Sequence, residues 1–435
     1  MRAMNPLYSI KVKEIWAYLK TQDHLFWLIN IYLFFEYVRP QTLYPAINII
    51  PYPQVILFIT MVLFLLRPDP VYTKNFMNRL FIIFFVVVVV SSIMAISPET
   101  AYEELPLIFS WLVIYFLIIN IINTEERLLV FVLAFLIYSF KMAQFSFRNW
   151  LRAGFDFMGN GSGGGPGWFH NSGEFGIQMV VFLAVSACFV FALKSYWPRW
   201  KQGLICLFPL TALSGTVSSS SRGAVLGAAA VALYFIFKSK YRVKSLLVLV
   251  AVGFAVYSFI PDQQMARFSS IGKDSTSMSR FVLWEHGLDL IARYPVLGVG
   301  YKNWVLANEQ ILGIENIQVP HNIFIECAAE LGYLGLAVFI LMILYTFILN
   351  SRTRKMLAQS KEDFRFLYFL AYGLDGALVG FMVSGFFVTV LYYPYFWINL
   401  AMTVSLHESA RTALGLNEGK KCEKTGLEKR CRIPL

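Results

Sequence analysis

Residues 80–97 read Leu80-Phe81-Ile82-Ile83-Phe84-Phe85-Val86-Val87-Val88-Val89-Val90-Ser91-Ser92-Ile93-Met94-Ala95-Ile96-Ser97, without a single charge. A helix of this length rises about 27 Å at roughly 1.5 Å per residue, close to the ~30 Å hydrocarbon thickness of a bilayer. The run therefore reads as a membrane span, and it is not alone. Comparable apolar runs lie near 24–39, 52–66, 105–122, 128–147, 174–193, 201–217, 222–237, 243–260, 321–350, 366–388 and 392–406. Most end in Pro, Gly or a Lys/Arg cluster. The run at 321–350 is long enough for one tilted span with a helical extension, or for a span with a re-entrant start.

Composition points the same way. Of 435 residues, 57% are hydrophobic, 17% aromatic and only 14% charged. Soluble domains carry about 25% charged residues, and this chain has too little polar surface to cover its apolar mass. A water-soluble fold, disorder and a coiled coil are excluded. The net charge of +11 needs no nucleic-acid partner. With the N-terminus in the cytoplasm, most Lys and Arg fall in alternate short loops on that side, as the positive-inside rule requires. The five Cys include three in apolar runs (Cys188, Cys206, Cys327) and two in the basic tail (Cys422, Cys431). A disulfide framework is not expected. No cleavable signal sequence is expected either.

The expected fold is an all-α integral membrane protein of about 12 transmembrane helices, with both termini cytoplasmic. Residues 1–260 form an N-terminal membrane bundle of about nine spans, interrupted by a Gly-rich outer loop at 148–173. Residues 261–320 form a long outer loop, residues 321–410 the C-terminal spans, and residues 411–435 a basic cytoplasmic tail. Loops as long as 261–320 are usually functional. Its stretch 279–293 is amphipathic, with Phe281, Val282, Trp284, Leu288 and Ile291 expected on one face, as in helices that lie on a membrane surface or cap a cavity.

Three outer features carry chemistry. Arg222, in Ser218-Ser219-Ser220-Ser221-Arg222-Gly223, opens a span among small residues; an arginine snorkelling to lipid phosphate is the plainer alternative. Arg280 and Trp284 stand four apart, so a helix puts them on one face; an ordinary surface charge is the alternative. His321, in Pro320-His321-Asn322-Ile323-Phe324-Ile325-Glu326, stands where the long loop re-enters the membrane, and its imidazole can take a proton from a hydroxyl; a capping histidine is the alternative. Glu326 and Glu330 in the same helix start are awkward in lipid and suggest a polar cavity facing them. His170 and Glu174 flank the end of the Gly-rich loop, which lacks the ending of a P-loop and reads as a flexible outer loop near substrate. His286 competes as a base; His24 and His407 read as structural. No metal-ligand spacing is evident.

Together, these motifs are more specific than any one of them. Ser-Arg-Gly opens a span, then Ser279-Arg280-x-x-x-Trp284 follows in the long loop. Next come Tyr294-Pro295-Val296-Leu297-Gly298-Val299-Gly300 and His321-Asn322, before Glu330-Leu331-Gly332-Tyr333-Leu334-Gly335. This order resembles the O-antigen ligase and polymerase superfamily, over about residues 210–350. The stretch Phe35-Glu36-Tyr37-Val38-Arg39-Pro40-Gln41 also resembles a branch described as O-glycosylation ligases of exopolysaccharide systems.

The resemblance implies a GT-C-like glycosyltransferase of the bacterial inner membrane with a long periplasmic loop carrying short helices. The donor it implies is a polyprenyl (undecaprenyl) diphosphate-linked glycan. The acceptor is a hydroxyl on lipid A core, a growing glycan or a protein. The resemblance places Arg222 and Arg280 on the diphosphate and His321 at the acceptor; the reading of the residues adds Trp284, Asn322, Glu326 and His170 as further site candidates. It implies no cofactor and no metal. Membrane lipids are expected partners; nucleic acid is not. The competing readings are a transporter or flippase for the lipid-linked glycan and a scaffold without catalysis. A transporter would want ionisable residues midway along spans, whereas the notable charges here cluster at the outer surface.

Overall fold

The computed structural model describes residues 5–68, 70, 72–155, 161–164, 168–169, 171–258, 275–315 and 317–416. Among these the fold is all helical, with no strand. The helices are α1 (Val12–Lys20), α2 (His24–Tyr37), α3 (Pro40–Leu43), α4 (Tyr52–Leu65), α5 (Phe76–Ile93), α6 (Pro98–Ile121), α7 (Glu125–Arg152) and α8 (Ser172–Leu193). They continue as α9 (Arg199–Ser218), α10 (Arg222–Lys238), α11 (Arg242–Ser258), α12 (Ser275–Arg293), α13 (Trp304–Leu312), α14 (Ile323–Ala358), α15 (Arg365–Gly385) and α16 (Pro394–Ala413).

Each of the apolar runs read from the sequence forms a helix. Among the described residues, seven helices are long and apolar enough to cross a membrane: Pro45–Leu65, Phe76–Ile93, Pro98–Ile121, Glu125–Arg152, Ser172–Tyr196, Ile323–Ala358 and Arg365–Gly385. The helix starts follow from local chemistry. Asp23, Asn75, Ser97, Thr124, Asn171, Ser221 and Asn322 each stand just before a helix and accept a backbone N–H of its first turn. Such caps satisfy amide groups that a helix start otherwise leaves unpaired.

Helix α15 is the hub, packing on α8, α10, α14 and α16. Small residues allow the approach. A Cβ on Gly380 would stand 2.4 Å from Val180, and one on Gly227 of α10 would stand 2.0 Å from Ser384 Oγ. Close backbone approach through small residues is how helices associate where lipid supplies no hydrophobic drive.

Helix α14 is broken. Gly332 has φ 65° and ψ −172° inside it, so a short half-helix from Ile323 meets the long remainder at a kink. The carbonyls freed by the break are taken by the segment after α12. The Val299 N–H donates to Ala329 O at 2.8 Å and the Gly300 N–H to Glu330 O at 3.1 Å; in return the Tyr333 N–H donates to Pro295 O at 2.7 Å. Ser91 Oγ, from α5, donates to Leu297 O and Glu330 O, each at 2.8 Å. The run at 321–350 is thus a span with a broken start.

Two expectations change. The buried face of α12 is Leu283, Leu290 and Ile291, while Phe281, Val282 and Leu288 are exposed. The buried stripe follows the steps 283, 287, 290 and 291 because Gly287 admits Ile325: a Cβ there would stand 2.3 Å from the Ile325 side chain. The notable charges are also not confined to one surface. Arg354 of α14 and Asp375 of α15 form a buried ion pair at 2.6 Å. Asn350 and Tyr234 donate to the same carboxylate at 2.8 and 2.9 Å.

Candidate active site

Residues 386–393, the short linker between α15 and α16, organise the site. On one side the linker meets the start of α10. A Cβ on Gly223, next to Arg222, would stand 3.2 Å from the Phe387 Cβ. Ser221 caps α10 by accepting the Ala224 N–H at 3.3 Å, which fixes Arg222 as the first helical residue. On the other side the linker meets α12. Trp284, one turn after Arg280, packs edge-to-face on Phe386 at 5.3 Å and is tilted against Phe387 at 6.5 Å. The two arginine-bearing segments therefore converge on one pair of phenylalanines.

His321 is placed from the same linker. Its backbone N–H donates to Thr389 Oγ1 at 2.7 Å. The indole of Trp284 donates to Pro320 O at 3.1 Å, so the arginine-bearing helix and the histidine are tied through one hydrogen bond. His321 has a left-handed φ of 50°, which is strained for a residue with a Cβ. Burial, and then the charge of Arg280, push its imidazole down to about 4. A neutral imidazole is thus held within electrostatic range of a guanidinium.

Asn322 has a structural part: its side-chain oxygen caps α14, accepting the Phe324 and Ile325 N–H groups at 2.9 and 3.2 Å. Glu326 and Glu330 are buried against the linker rather than open to a cavity. Glu326 accepts the Leu391 N–H at 3.4 Å, and Glu330 accepts the Tyr392 hydroxyl at 2.8 Å. Lys302 Nζ lies 4.6 Å above the Tyr392 ring. His170 lies outside the described residues. His286, on α12, is half-buried, with its Nδ1 buried and unpaired. His407 is far along α16, where its Nδ1 meets Thr353 Oγ1 at 2.8 Å.

Part of the Gly-rich loop is packed rather than loose. The Ser162 N–H donates to Ser218 O at 2.8 Å, and a Cβ on Gly161 would stand 2.0 Å from Ser219 O. This places Gly161 and Ser162 beside the residues leading to Arg222. Behind it stands a second polar cluster. Trp168 donates its indole N–H to Glu36, the Arg39 guanidinium lies 5.5 Å from the Trp168 ring, and Tyr393 donates to Glu174 at 2.5 Å. Among the described residues six non-glycine residues have left-handed φ, and four of them, Arg39, Ser220, Lys302 and His321, stand in these segments. Such strain concentrates at functional sites.

The linker itself escaped the sequence reading. Its signal was present: Thr389 and the pair Tyr392-Tyr393 are polar-tipped residues between two apolar helices. Asp375 was likewise visible as the lone acid in an apolar run. Among the described residues no group of three or more His, Cys, Asp or Glu converges to hold a metal.

The several apolar helices, one of them broken at Gly332, define a multi-pass membrane protein, and the linker at 386–393 joins the start of α10, Trp284 of α12 and His321. Residues 207–340 match the family model described as O-Antigen ligase. The exopolysaccharide production protein ExoQ of Rhizobium meliloti (strain 1021) is 26% identical over 200 residues, covering 42% of this chain. The match spans 45% of that relative's length. The two matches together support the O-antigen ligase superfamily, and the matched residues 207–340 hold Arg222, Arg280 and His321.

Proposed function

We propose that this protein transfers a glycan from a polyprenyl diphosphate to a hydroxyl acceptor at the periplasmic face of a bacterial inner membrane, with both termini in the cytoplasm. Support comes from one arrangement above all: His321, neutral and within the field of Arg280, held by Thr389 on the linker that also carries the Arg222 end of α10. The match of residues 207–340 to the O-Antigen ligase family model supports the same reading.

In this mechanism the guanidinium groups of Arg222 and Arg280 grip the diphosphate, whose oxygens gain charge as the glycosidic bond breaks. Guanidinium forks bind such oxygens bidentately and stabilise the departing group most in the transition state. The acceptor oxygen attacks the anomeric carbon from the opposite face. Its proton passes to the His321 imidazole, and the bonding pair leaves with the polyprenyl diphosphate. One displacement inverts the anomeric centre and needs no covalent glycosyl-enzyme. The bound diphosphate offsets the Arg280 charge and so raises the basicity of His321 when the donor is in place. Acceptors of three kinds suit this chemistry: lipid A core, a growing polysaccharide and a protein hydroxyl. The name of the matched relative favours polysaccharide.

The test is acceptor-dependent release of polyprenyl diphosphate by the purified protein in lipid, compared with His321→Ala. Release by the wild type alone is expected; equal release by both would remove His321 from the mechanism. One observation favours a second reading. The buried Arg354–Asp375 pair is the kind of intramembrane charge a lipid-linked glycan transporter uses. Translocation of the donor by His321→Ala, without any transfer by wild type, would establish that reading instead.

A further inference from the structure

At the end of α10 opposite Arg222, about 24 Å away at roughly 1.5 Å per residue, the helices leave a cavity of about 520 Å³. Its volume falls within the ~300–1,000 Å³ typical of small-molecule sites. The walls are aromatic: Phe191 from α8, Phe235 from α10, and Phe369 and Tyr372 from α15. The mouth is basic, formed by Lys238 and Lys240 with Ser239, Tyr241 and Ser245. Residues 238–244 read Lys238-Ser239-Lys240-Tyr241-Arg242-Val243-Lys244, four cations without an acid, and all four are exposed.

The Tyr372 wall is braced from behind. The Arg354 guanidinium lies 4.3 Å from the Tyr372 ring, and Arg354 is itself held by Asp375. The cavity is thus a groove between α8, α10 and α15 that opens at the outside of the helices, where Phe191 is 55% exposed. A hydrocarbon-lined chamber with cations at its mouth is complementary to a molecule with one anionic head and an apolar tail. A free phosphate would leave the aromatic walls uncovered, and a zwitterionic lipid would leave the lysines uncompensated. We propose that this cavity is a binding site for an anionic glycerophospholipid. Its phosphate sits at Lys238 and Lys240, and an acyl chain lies between Phe191, Phe235 and Phe369. Basic pockets between membrane helices bind anionic head groups in this way.

The experiment is native mass spectrometry of the full-length, delipidated protein, titrated with phosphatidylglycerol or with phosphatidylcholine of the same acyl chains. Wild type should retain one phosphatidylglycerol with a preference of about 30-fold, the factor two lysines near a phosphate supply. Lys238→Gln with Lys240→Gln should abolish that preference. Ala187→Phe, which fills the cavity without touching a charge, should weaken both lipids and provides the reading if the double variant fails to fold. Equal retention of the two lipids by wild type, or an unchanged preference in the double variant, would overturn the proposal. So would displacement of phosphatidylglycerol by an equal concentration of polyprenyl monophosphate.

Discussion

The indole of Trp284 donates to the carbonyl of Pro320 at 3.1 Å, so the helix that carries Arg280 sets the position of His321. A typical hydrogen bond contributes about 1 kcal/mol net. Trp284→Phe keeps the ring against Phe386 and loses only this bond. It should lower the transfer rate by about fivefold, with little change in donor affinity. Trp284→Ala removes the ring as well and should cost more. Steady-state kinetics with donor and acceptor varied separately would check this; a loss confined to donor affinity would contradict it.

The two arginines should tolerate lysine poorly. A charge-assisted hydrogen bond is worth about 1.5–3 kcal/mol, so losing one fork in Arg222→Lys or Arg280→Lys should reduce kcat/KM by about 10–100-fold. Transfer assays at fixed acceptor measure this. Wild-type rates in both lysine variants would show that the guanidinium geometry is not used.

The pH dependence has a definite sign. A base must be neutral, and His321 is held down to about 4, first by burial and then by Arg280. The neutral form therefore persists from neutral pH down to about 4, and activity falls only as the pH drops through that value. Arg280→Gln removes a like charge, so the residual acid limb should move upward. A profile of kcat/KM for the acceptor at low donor concentration reads both; a wild-type limb centred at the ordinary value of 6.5 would contradict the assignment.

Stability should hinge on the broken helix. A Cβ on Gly332 would stand 2.2 Å from Val296 O, at φ +65°, whereas Gly313 has φ +70° with open space around it. Left-handed strain alone costs about 1–2 kcal/mol. Gly313→Ala should lose that much, and Gly332→Ala clearly more, because backbone must move. Thermal unfolding of the reconstituted protein would rank them; equal losses would mean the interlock with residues 295–300 is not under pressure.

Much of this was legible in the residues. Every apolar run became a helix because a chain in lipid must satisfy its backbone internally, and hydropathy alone reports that. Arg222, Arg280 and His321 stood out in the sequence because charged and titratable groups are costly at the ends of membrane spans, and the structure ties the segments carrying them to the linker at 386–393. The buried face of α12 was missed because Phe281, Val282 and Leu288 are apolar yet face outward, where a membrane surface accepts them; periodicity cannot separate lipid-facing from protein-facing residues. The linker at 386–393 was missed for a different reason. Thr389 and Tyr392-Tyr393 mark it locally as polar, but its hydrogen bonds to His321, Glu326, Glu330 and Glu174 join residues distant in sequence, and local polarity does not name those partners.

That linker also sets an order of events during synthesis. Arg222, Arg280 and His321 all leave the ribosome before residue 386 does. At about 5–20 residues per second, several seconds pass between the emergence of the histidine and that of Thr389, the residue that holds it. Until then the partly made chain displays its arginines and its imidazole without the piece that aligns them. The arrangement around His321 is complete only once the C-terminal helices and the linker before them have been made.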